Sequence, residues 1–408
     1  MSTAPLSGIR VLDLTRVLAG PFCTMVLADL GAEVVKIERP GVGDDARQFG
    51  PFLPSGESGY FASVNRGKKS LVLDLKDPTD RATFLALVDR ADVVVENFRP
   101  ETMERMGLSS DVLRARNPRL IYASATGFGR SGPDADKPAY DVIIQARSGL
   151  MSLTGHAADE PARVGSSISD ILAGLYTAIG VCAALREREG TGVGGDLDLA
   201  MLDCSVSVLE NAVARYSLSG EPPRPLGTRH PSIAPFQAFH AADGDLVIAA
   251  GNDQLWRTLC GALGDESLAD DPLLASNHDR CTHAAHLETR INALLAGRSV
   301  AECVATLEDA GVPAAPINDM SHVLGDRQLA AREMWHTLTD RDGRELLTAA
   351  TPFCIDGRKP RLEGDWPRLG EHGAEILRSW LGDRMASPPA HGPKLGSVPE
   401  ASQGSGSR

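Results

Sequence analysis

The first half of the chain alternates short apolar segments of strand length with longer segments of helical periodicity. This alternation indicates an α/β architecture, because strands separated by helices form βαβ units around a parallel sheet. The predicted strands are 9–14, 33–38, 70–75, 92–98 and 120–126. The predicted helices are 20–31, 78–90, 139–149 and 170–188. The sequence therefore predicts an α/β fold with a large Rossmann-like parallel-sheet domain.

The pattern changes near Gly220, where a proline-rich segment begins. Two Asp-Gly pairs, Asp243-Gly244 and Asp342-Gly343, predict β-hairpins. Between them lie helical stretches at 254–263, 284–296 and 300–310. We therefore predict a large domain at 1–220, a smaller α+β domain at 225–325 and a return to the large domain at 326–384. Serine, proline and glycine dominate 385–408, which predicts a disordered tail.

Composition excludes several classes of protein. The 408 residues carry a net charge of −13, which argues against a nucleic-acid partner. Seven scattered cysteines without a CxxC pair predict buried reduced thiols, no metal site and a cytoplasmic location. The polar start predicts no signal peptide, and we expect no apolar stretch long enough for a membrane span.

Asp170 is the strongest candidate functional residue. It lies where a small, polar segment gives way to a helix rich in glycine and alanine. One interpretation is a helix N-cap, for which aspartate is a preferred residue. The other is a nucleophile for acyl transfer, ionised at neutral pH because an ordinary aspartate has a pKa of about 3.9.

Weaker candidates follow the predicted strands. Arg16 and Arg39 lie near the carboxyl ends of strands, where α/β sheets place ligands, although the first turn lacks the GxGxxG pattern of dinucleotide sites. Asn97 and Phe98 end the fourth strand and offer an amide and a ring to a ligand. In isolation each of these signals is also typical of an ordinary turn or surface residue.

In combination and order, these segments resemble the CaiB/BaiF family of CoA-transferases, also called family III. The matching segments are 6–14 (LSGIRVLDL), 19–21 (AGP), 27–38 (LADLGAEVVKIE), 65–70 (NRGKKS), 96–100 (ENFRP), 138–141 (PAYD), 311–313 (GVP) and the Asp170 helix with Gly174. The resemblance implies an interlocked-ring homodimer, no tightly bound cofactor, and coenzyme A or acyl-CoA as substrate. It implies Asp170 as catalytic residue. The residues implied to contact CoA are Val17, Arg39, Leu73, Lys76, Asn97, Phe98, Arg105, Lys137 and Tyr140.

Within that family, the resemblance favours acyl-CoA:carboxylate CoA transfer over 2-methylacyl-CoA racemisation. The racemases have Gly-His-Asp where this chain has Ala139-Tyr140-Asp141, so the proton-shuttling histidine is absent. Leu18 replaces the glutamine of the formyl-CoA:oxalate type, which argues against oxalate. Segments 227–236 and 251–253 resemble the succinyl-CoA:dicarboxylate branch. The partners expected are acyl-CoA and short carboxylic acids, with Arg16, Arg229, His230 and Gly251 as substrate contacts. A racemase or isomerase and a non-catalytic CoA-binding protein remain as alternatives.

Overall fold

The computed structural model describes residues 4–360 and 364–382, so the predicted tail lies outside the described residues. The chain divides into two compact units. The first lies within Met1–Ser148, Ser166–Val208 and Glu333–Arg408, and the second is Gly149–Gly165 with Leu209–Arg332. We expected the junctions at 220/225 and 325/326. The structure instead changes unit at 208/209 and 332/333, and it adds the excursion at 149–165.

The described strands are β1 (Arg10–Asp13), β2 (Glu33–Glu38), β3 (Lys69–Val72), β4 (Val93–Glu96), β5 (Ile121–Thr126), β6 (Asp196–Ala200), β7 (Phe236–His240), β8 (Asp245–Ala249), β9 (Ala314–Pro316), β10 (Trp335–Thr339) and β11 (Glu345–Ala349). The described α-helices are α1 (Ala19–Asp29), α2 (Gly59–Asn65), α3 (Pro78–Val88), α4 (Thr102–Arg105), α5 (Ser110–Arg116), α6 (Asp141–Arg147), α7 (Leu150–Leu153), α8 (Ile168–Thr191), α9 (Met201–Ser207), α10 (Ala212–Ser219), α11 (Asp253–Leu263), α12 (Asn277–Thr282), α13 (Ala284–Leu295), α14 (Val300–Asp309), α15 (Met320–Leu324), α16 (Arg327–Ala331) and α17 (Gly373–Leu381). Short 3₁₀ helices lie at Asp45–Gln48 and Glu266–Asp270.

The first unit contains a six-stranded sheet in the order β3-β2-β1-β4-β5-β6. Every neighbouring pair is parallel, as the alternation of strands and helices predicted. This is the Rossmann strand order, in which ligands bind beyond the carboxyl ends of the strands where the order reverses, between β1 and β4. The structure confirms the α/β prediction but adds β6, which the sequence analysis missed.

Successive strand residues face opposite sides of this sheet and enter two separate cores. Leu12 and Val94 join Phe84 of α3 and Trp380 of α17 on one side. Val11, Val34 and Val93 join Leu27 of α1 and Val181 of α8 on the other. Both faces are buried because parallel sheets carry helices on each side.

Helix α8 has the length and composition of a membrane span, with a mean hydropathy of 1.8 over its most apolar window. We expected no apolar stretch of that size, and that prediction was wrong. Within the first unit this helix packs against α1 and β5. A buried helix of an α/β sheet has the same apolar composition, since it needs little polar surface.

The second unit has a small antiparallel sheet in the order β7-β8-β9. The Asp243-Gly244 prediction is confirmed, because β7 and β8 pair as a hairpin from His240–Asp245 to Phe236–Ala249. Phe239, Ile248 and Trp256 are buried with side chains of α13 and α14. This unit therefore has its own hydrophobic core.

Candidate active site

A cavity of about 450 Å³ opens at the carboxyl ends of β1, β2 and β3. It lies where a Rossmann sheet binds ligands. Its wall combines apolar side chains with the cationic groups of Arg16, Arg39 and Lys76. A cavity of this composition suits a ligand with an apolar part and anionic groups.

Two side chains from other segments hold the turn that follows β1. The Asn97 amide accepts a hydrogen bond from the Arg16 N–H and donates one to the Arg16 carbonyl, both at 2.8 Å. The Asp44 carboxylate accepts from the Val17 N–H at 3.0 Å. Val17 has φ of +66°, a conformation that is costly for a β-branched residue. The turn therefore keeps a strained backbone because the surrounding polar groups hold it.

A buried ionic cluster of Asp13, Lys36, Asp44 and Lys68 lies beneath that turn. Lys68 Nζ is 3.0 Å from Asp13 Oδ2, and Lys36 Nζ is 2.9 Å from Asp44 Oδ2. Burial would raise the pKa of Asp13, but the two ammonium groups outweigh it and the pKa lies below its ordinary range. Burial lowers the pKa of Lys68 to about 8. The charges are therefore matched inside the protein, which anchors β1, β2 and the loop before α2 to one another.

Asp170 is the third residue of α8, so the N-cap interpretation is wrong. The cap position belongs to Ser167, which makes no side-chain cap bond. The carboxylate of Asp141 takes that role, accepting from the Ser169 N–H at 2.9 Å and from the Asp170 N–H at 3.4 Å. Gln145 donates to the other Asp141 oxygen at 2.7 Å. The Asp170 carboxylate is consequently not needed to cap its own helix.

Burial, followed by the negative charge of Asp141, raises the pKa of Asp170 to about 7. The expectation that this group is fully ionised at neutral pH was therefore wrong. Within residues 4–360 and 364–382, no lysine or arginine forms an ion pair with Asp170. Ionisation of a desolvated carboxyl group costs free energy when no cation is nearby. Groups in such surroundings are typical of functional sites, so this environment indicates a functional rather than a structural carboxylate.

Asp170 and Gly174 are one turn apart on α8 and lie on the same face of the helix. A side chain at Gly174 would meet the Ala19 carbonyl of α1 at 2.7 Å, so α8 and α1 are in close contact there. Burial raises the pKa of Tyr60 to about 12, with further contributions from Asp170 and Asp44. Asp44 lines the cavity. Asp170 and Asp44 are therefore both close enough to Tyr60 to influence its hydroxyl group.

Five of the residues singled out from the sequence line this cavity, namely Arg16, Arg39, Leu73, Lys76 and Phe98. The other residues predicted to contact CoA do not line this cavity. Lys137 pairs with Asp134 at 2.5 Å, Arg105 donates to Thr102, and Tyr140 is 73% exposed at the start of α6. Val17 and Asn97 contribute through the turn described above.

The remaining substrate candidates belong to the second unit. Helix α12 holds the backbone around them, because Asn277 donates to the Ser232 carbonyl and accepts from the Ala234 N–H. The fully buried Arg280 donates to the Ala234 carbonyl and to Asp253. Arg229 and Gly251 are exposed, and His230 is partly buried. The segments that carry these candidates are thus tied to one short helix.

Sequence reasoning missed Asp44 and Tyr60 as site residues, and it used Asp141 only to compare families. Asp44 lies in a Gly-Asp-Asp stretch that is typical of an exposed loop, yet its side chain is buried. Tyr60 is the second residue of a short helix, α2, and belongs to no recognisable motif. No group of three potential metal ligands occurs in the described part of the chain. Cys182 and Cys281 are partly exposed and Cys354 is exposed, so the expectation that the cysteines are buried was wrong for these three.

Comparison with known proteins gives the family. The family model described as CoA-transferase family III matches residues 6–373. An acetyl-CoA:oxalate CoA-transferase from Acetobacter aceti is 43% identical over 92% of this chain and 96% of its own length. A succinate–glutarate CoA-transferase from Agrobacterium fabrum is 41% identical over 91% and 95%. A CaiB/BaiF family protein from Brucella suis superposes with a TM-score of 0.83, at 38% identity over 93% of this chain and all of that chain.

The chain therefore belongs to CoA-transferase family III, as its sequence motifs predicted, and it is a CoA-transferase.

Proposed function

We propose that this enzyme moves coenzyme A between short dicarboxylic acids, with Asp170 as the covalent catalyst. The proposal rests chiefly on one observation: Asp170 is a desolvated carboxylate in the first turn of α8, without a cationic partner in the described part of the chain. The ionised form of such a group is poorly stabilised by its surroundings. It is therefore a better nucleophile than a carboxylate that water or arginine stabilises.

In the proposed reaction, the ionised Asp170 carboxylate attacks the carbonyl carbon of the donor thioester. The C–S bond breaks, which gives a mixed anhydride on Asp170 and free CoA thiolate. The thiolate then attacks the aspartyl carbonyl, releases the donor acid and leaves an aspartyl-CoA thioester. The acceptor carboxylate attacks the carbonyl carbon of that thioester, which breaks the C–S bond, expels CoA thiolate and gives a second mixed anhydride. The thiolate then attacks the acceptor carbonyl of this anhydride, which forms the acceptor-CoA thioester and releases the Asp170 carboxylate.

A further feature supports this mechanism. The cavity beside α1 offers Arg16, Arg39 and Lys76 to the phosphates of CoA, which suits a polyanion in a protein of net negative charge. No tightly bound cofactor is required, since CoA enters and leaves as substrate.

The pH dependence of the reaction follows from the raised pKa of Asp170. We expect kcat/KM for the donor thioester to rise about tenfold per pH unit below pH 7 and to level off above it, because only the ionised carboxylate attacks. Asp141→Asn keeps an oxygen to accept from Ser169 but removes the neighbouring negative charge. The rise should therefore move to lower pH in this variant. A flat wild-type profile between pH 5 and 8, or an unshifted one in Asp141→Asn, would contradict this assignment.

The acids are proposed to be short dicarboxylates, with succinyl-CoA as donor. The relatives described above are named for oxalate, succinate and glutarate. Oxalate therefore stays among the proposed acids, although Leu18 argued against it. A second carboxylate needs a cationic or amide-lined contact, for which Arg229 and His230, neighbours in the second unit, are the proposed residues.

Incubation with a panel of CoA thioesters and free acids, with products identified by mass spectrometry, tests this specificity. We expect dicarboxylates to be preferred by at least about tenfold over monocarboxylates of equal length. Arg229→Ala and His230→Ala should raise KM for the dicarboxylate more than they lower kcat. A preference for monocarboxylates contradicts the proposed substrate class. Deuterium uptake at the α-carbon without CoA exchange would indicate an isomerase instead.

We also propose a cytoplasmic homodimer of interlocked subunits. Apolar side chains on α8 support a partner subunit, because Leu175 and Ile179 are 37% and 62% exposed. The cysteines at 23, 204, 260 and 303 are buried free thiols, as in a reducing compartment. Sedimentation equilibrium should give twice the chain mass, and a single-chain mass would contradict the dimer.

A further inference from the structure

Asp45 occupies the space between two arginines of the cavity. Its Oδ2 accepts from Arg16 Nη1 at 2.9 Å, and its Oδ1 accepts from Arg39 Nη2 at 2.5 Å. All three side chains are partly exposed, with 37% to 51% of their surface open to solvent. A single carboxylate thus bridges the two guanidinium groups that the proposed function assigns to CoA.

Each arginine has a second contact that does not depend on Asp45. The Arg16 guanidinium lies over the Phe98 ring at 5.5 Å, and its backbone is held by Asn97. The Arg39 side chain donates to the Gly43 carbonyl through Nε and Nη2. Loss of the Asp45 carboxylate would therefore leave both cations near their present positions.

The loop that carries Asp45 is likewise held by its neighbour. The Asp44 side chain accepts from the Ala46 N–H and pairs with Lys36, while the Asp44 N–H donates to Glu38. The Asp44 side chain is buried, whereas that of Asp45 is 43% exposed. The backbone of this loop is consequently fixed without the Asp45 side chain.

We propose that Asp45 sets the affinity of the CoA site by occupying the Arg16–Arg39 pair until a CoA phosphate replaces it. This inference rests on the proposed CoA-binding role of the cavity. A phosphate carries more charge and more acceptor oxygens than a carboxylate, so it wins the exchange. The displaced Asp45 carboxylate is already near solvent and is hydrated at little cost.

The exchange weakens net CoA binding, because forming the new contacts requires breaking two existing ones. A transferase that must let CoA leave after each reaction benefits from such a limit on affinity, since uniformly tight binding does not raise turnover. Asp45 is thus an affinity-determining residue rather than a support for the arginines. Because exposed ion pairs are individually weak, we expect the effect to be moderate.

The test compares Asp45→Asn with Asp74→Asn. Asp74 lines the same cavity, so its substitution removes one negative charge from the wall, but Asp74 accepts from the Lys76 N–H and contacts neither arginine. Dissociation constants are measured for CoA by calorimetry and for pantetheine, which lacks the phosphates, by displacement titration. We expect Asp45→Asn to tighten CoA binding by about three- to tenfold and Asp74→Asn by less than about twofold. Neither variant should change pantetheine binding.

The outcomes separate this inference from the function on which it rests. Weaker or unchanged CoA binding in Asp45→Asn would overturn the inference, since Asp45 would then support the arginines or have no influence on the site. Equal tightening of CoA binding in both variants would overturn it as well. The loss of one negative charge from the cavity wall, wherever it lies, would then explain the result. Absence of CoA binding by the wild-type protein would instead refute the proposed CoA cavity itself.

Discussion

Replacing Asp170 by asparagine is expected to lower turnover at least about 10⁴-fold while CoA binding stays within about threefold of wild type. Asparagine keeps the size of the side chain but cannot form the anhydride or the aspartyl thioester. The position sits in the first turn of α8, and its N–H bond to Asp141 is a backbone contact that the substitution retains. Turnover within about tenfold of wild type, a barrier change below about 1.4 kcal/mol, would remove Asp170 as nucleophile.

Asp203 provides a matched control, since it is the third residue of α9 as Asp170 is of α8. It is exposed, and Asp203→Asn should keep activity within about twofold of wild type.

Thermal unfolding of Asp170→Asn separates the effect on catalysis from an effect on folding. Because the folded-state pKa of Asp170 is raised to about 7, its ionisation costs stability as pH rises from about 4 towards 7. Asp170→Asn should therefore melt higher than wild type at pH 8, with a smaller difference at pH 5.

Lys68→Met is expected to destabilise the first unit by about 3–5 kcal/mol, because it removes one partner of a buried ion pair. Lys68 Nζ donates to Asp13 and Asn65 and to the Pro21 carbonyl, and all of these acceptors would lose a donor. The charge of Asp13 would then depend on Lys36 alone, at 3.9 Å. The same cluster lies beneath the Arg16–Val17 turn, so the affinity for CoA should fall as well.

The adjacent lysine is the control for this variant. Lys69 pairs with Glu33 and Glu375 at the surface, with about a third of its side chain exposed. Lys69→Met should cost no more than about 1 kcal/mol. Calorimetry of both variants measures the difference, for which we expect melting at least about 4 °C lower in Lys68→Met than in Lys69→Met. Equal melting temperatures would show that the buried cluster contributes little to stability.

The parallel sheet was predictable from the sequence because its inner strands are apolar on both faces. Val34, Val35 and Ile37 of β2 form a nearly continuous apolar run, which local pattern detects. β6 was missed because it is an edge strand of sequence Asp-Leu-Asp-Leu-Ala, whose aspartates are exposed. Only its pairing with β5 makes it a strand. Pairing across more than 70 residues cannot be inferred from local periodicity.

The assignment of residues 149–165 to the second unit could not be predicted from local sequence either. Its residues form backbone hydrogen bonds inside the second unit, as between the Gly227 N–H and the Gly155 carbonyl. The composition of this segment marks most of it as a loop, but it does not reveal which unit the segment joins. The predicted boundary at Gly220 followed the proline-rich segment, which marks a change in composition rather than the change of unit.

The candidate nucleophile could be picked out from the sequence, but its ionisation could not. Asp170 stands out through its place at the start of a glycine- and alanine-rich helix. Its raised pKa depends on burial and on Asp141, which is distant in sequence and reaches α8 from the start of α6. The role of Asp45 likewise depends on two arginines from different strand ends. Such properties arise from tertiary contacts.

The proposed covalent intermediate on Asp170 can be trapped chemically. The wild-type enzyme is incubated with succinyl-CoA without acceptor acid, treated with hydroxylamine, digested and mapped by mass spectrometry. Hydroxylamine converts an aspartyl thioester or anhydride into a hydroxamate. We expect this modification at Asp170 in the wild-type protein and at no position in Asp170→Asn. A protein that transfers CoA between acids but carries no label at Asp170, or carries it on another carboxylate, would contradict the proposed mechanism.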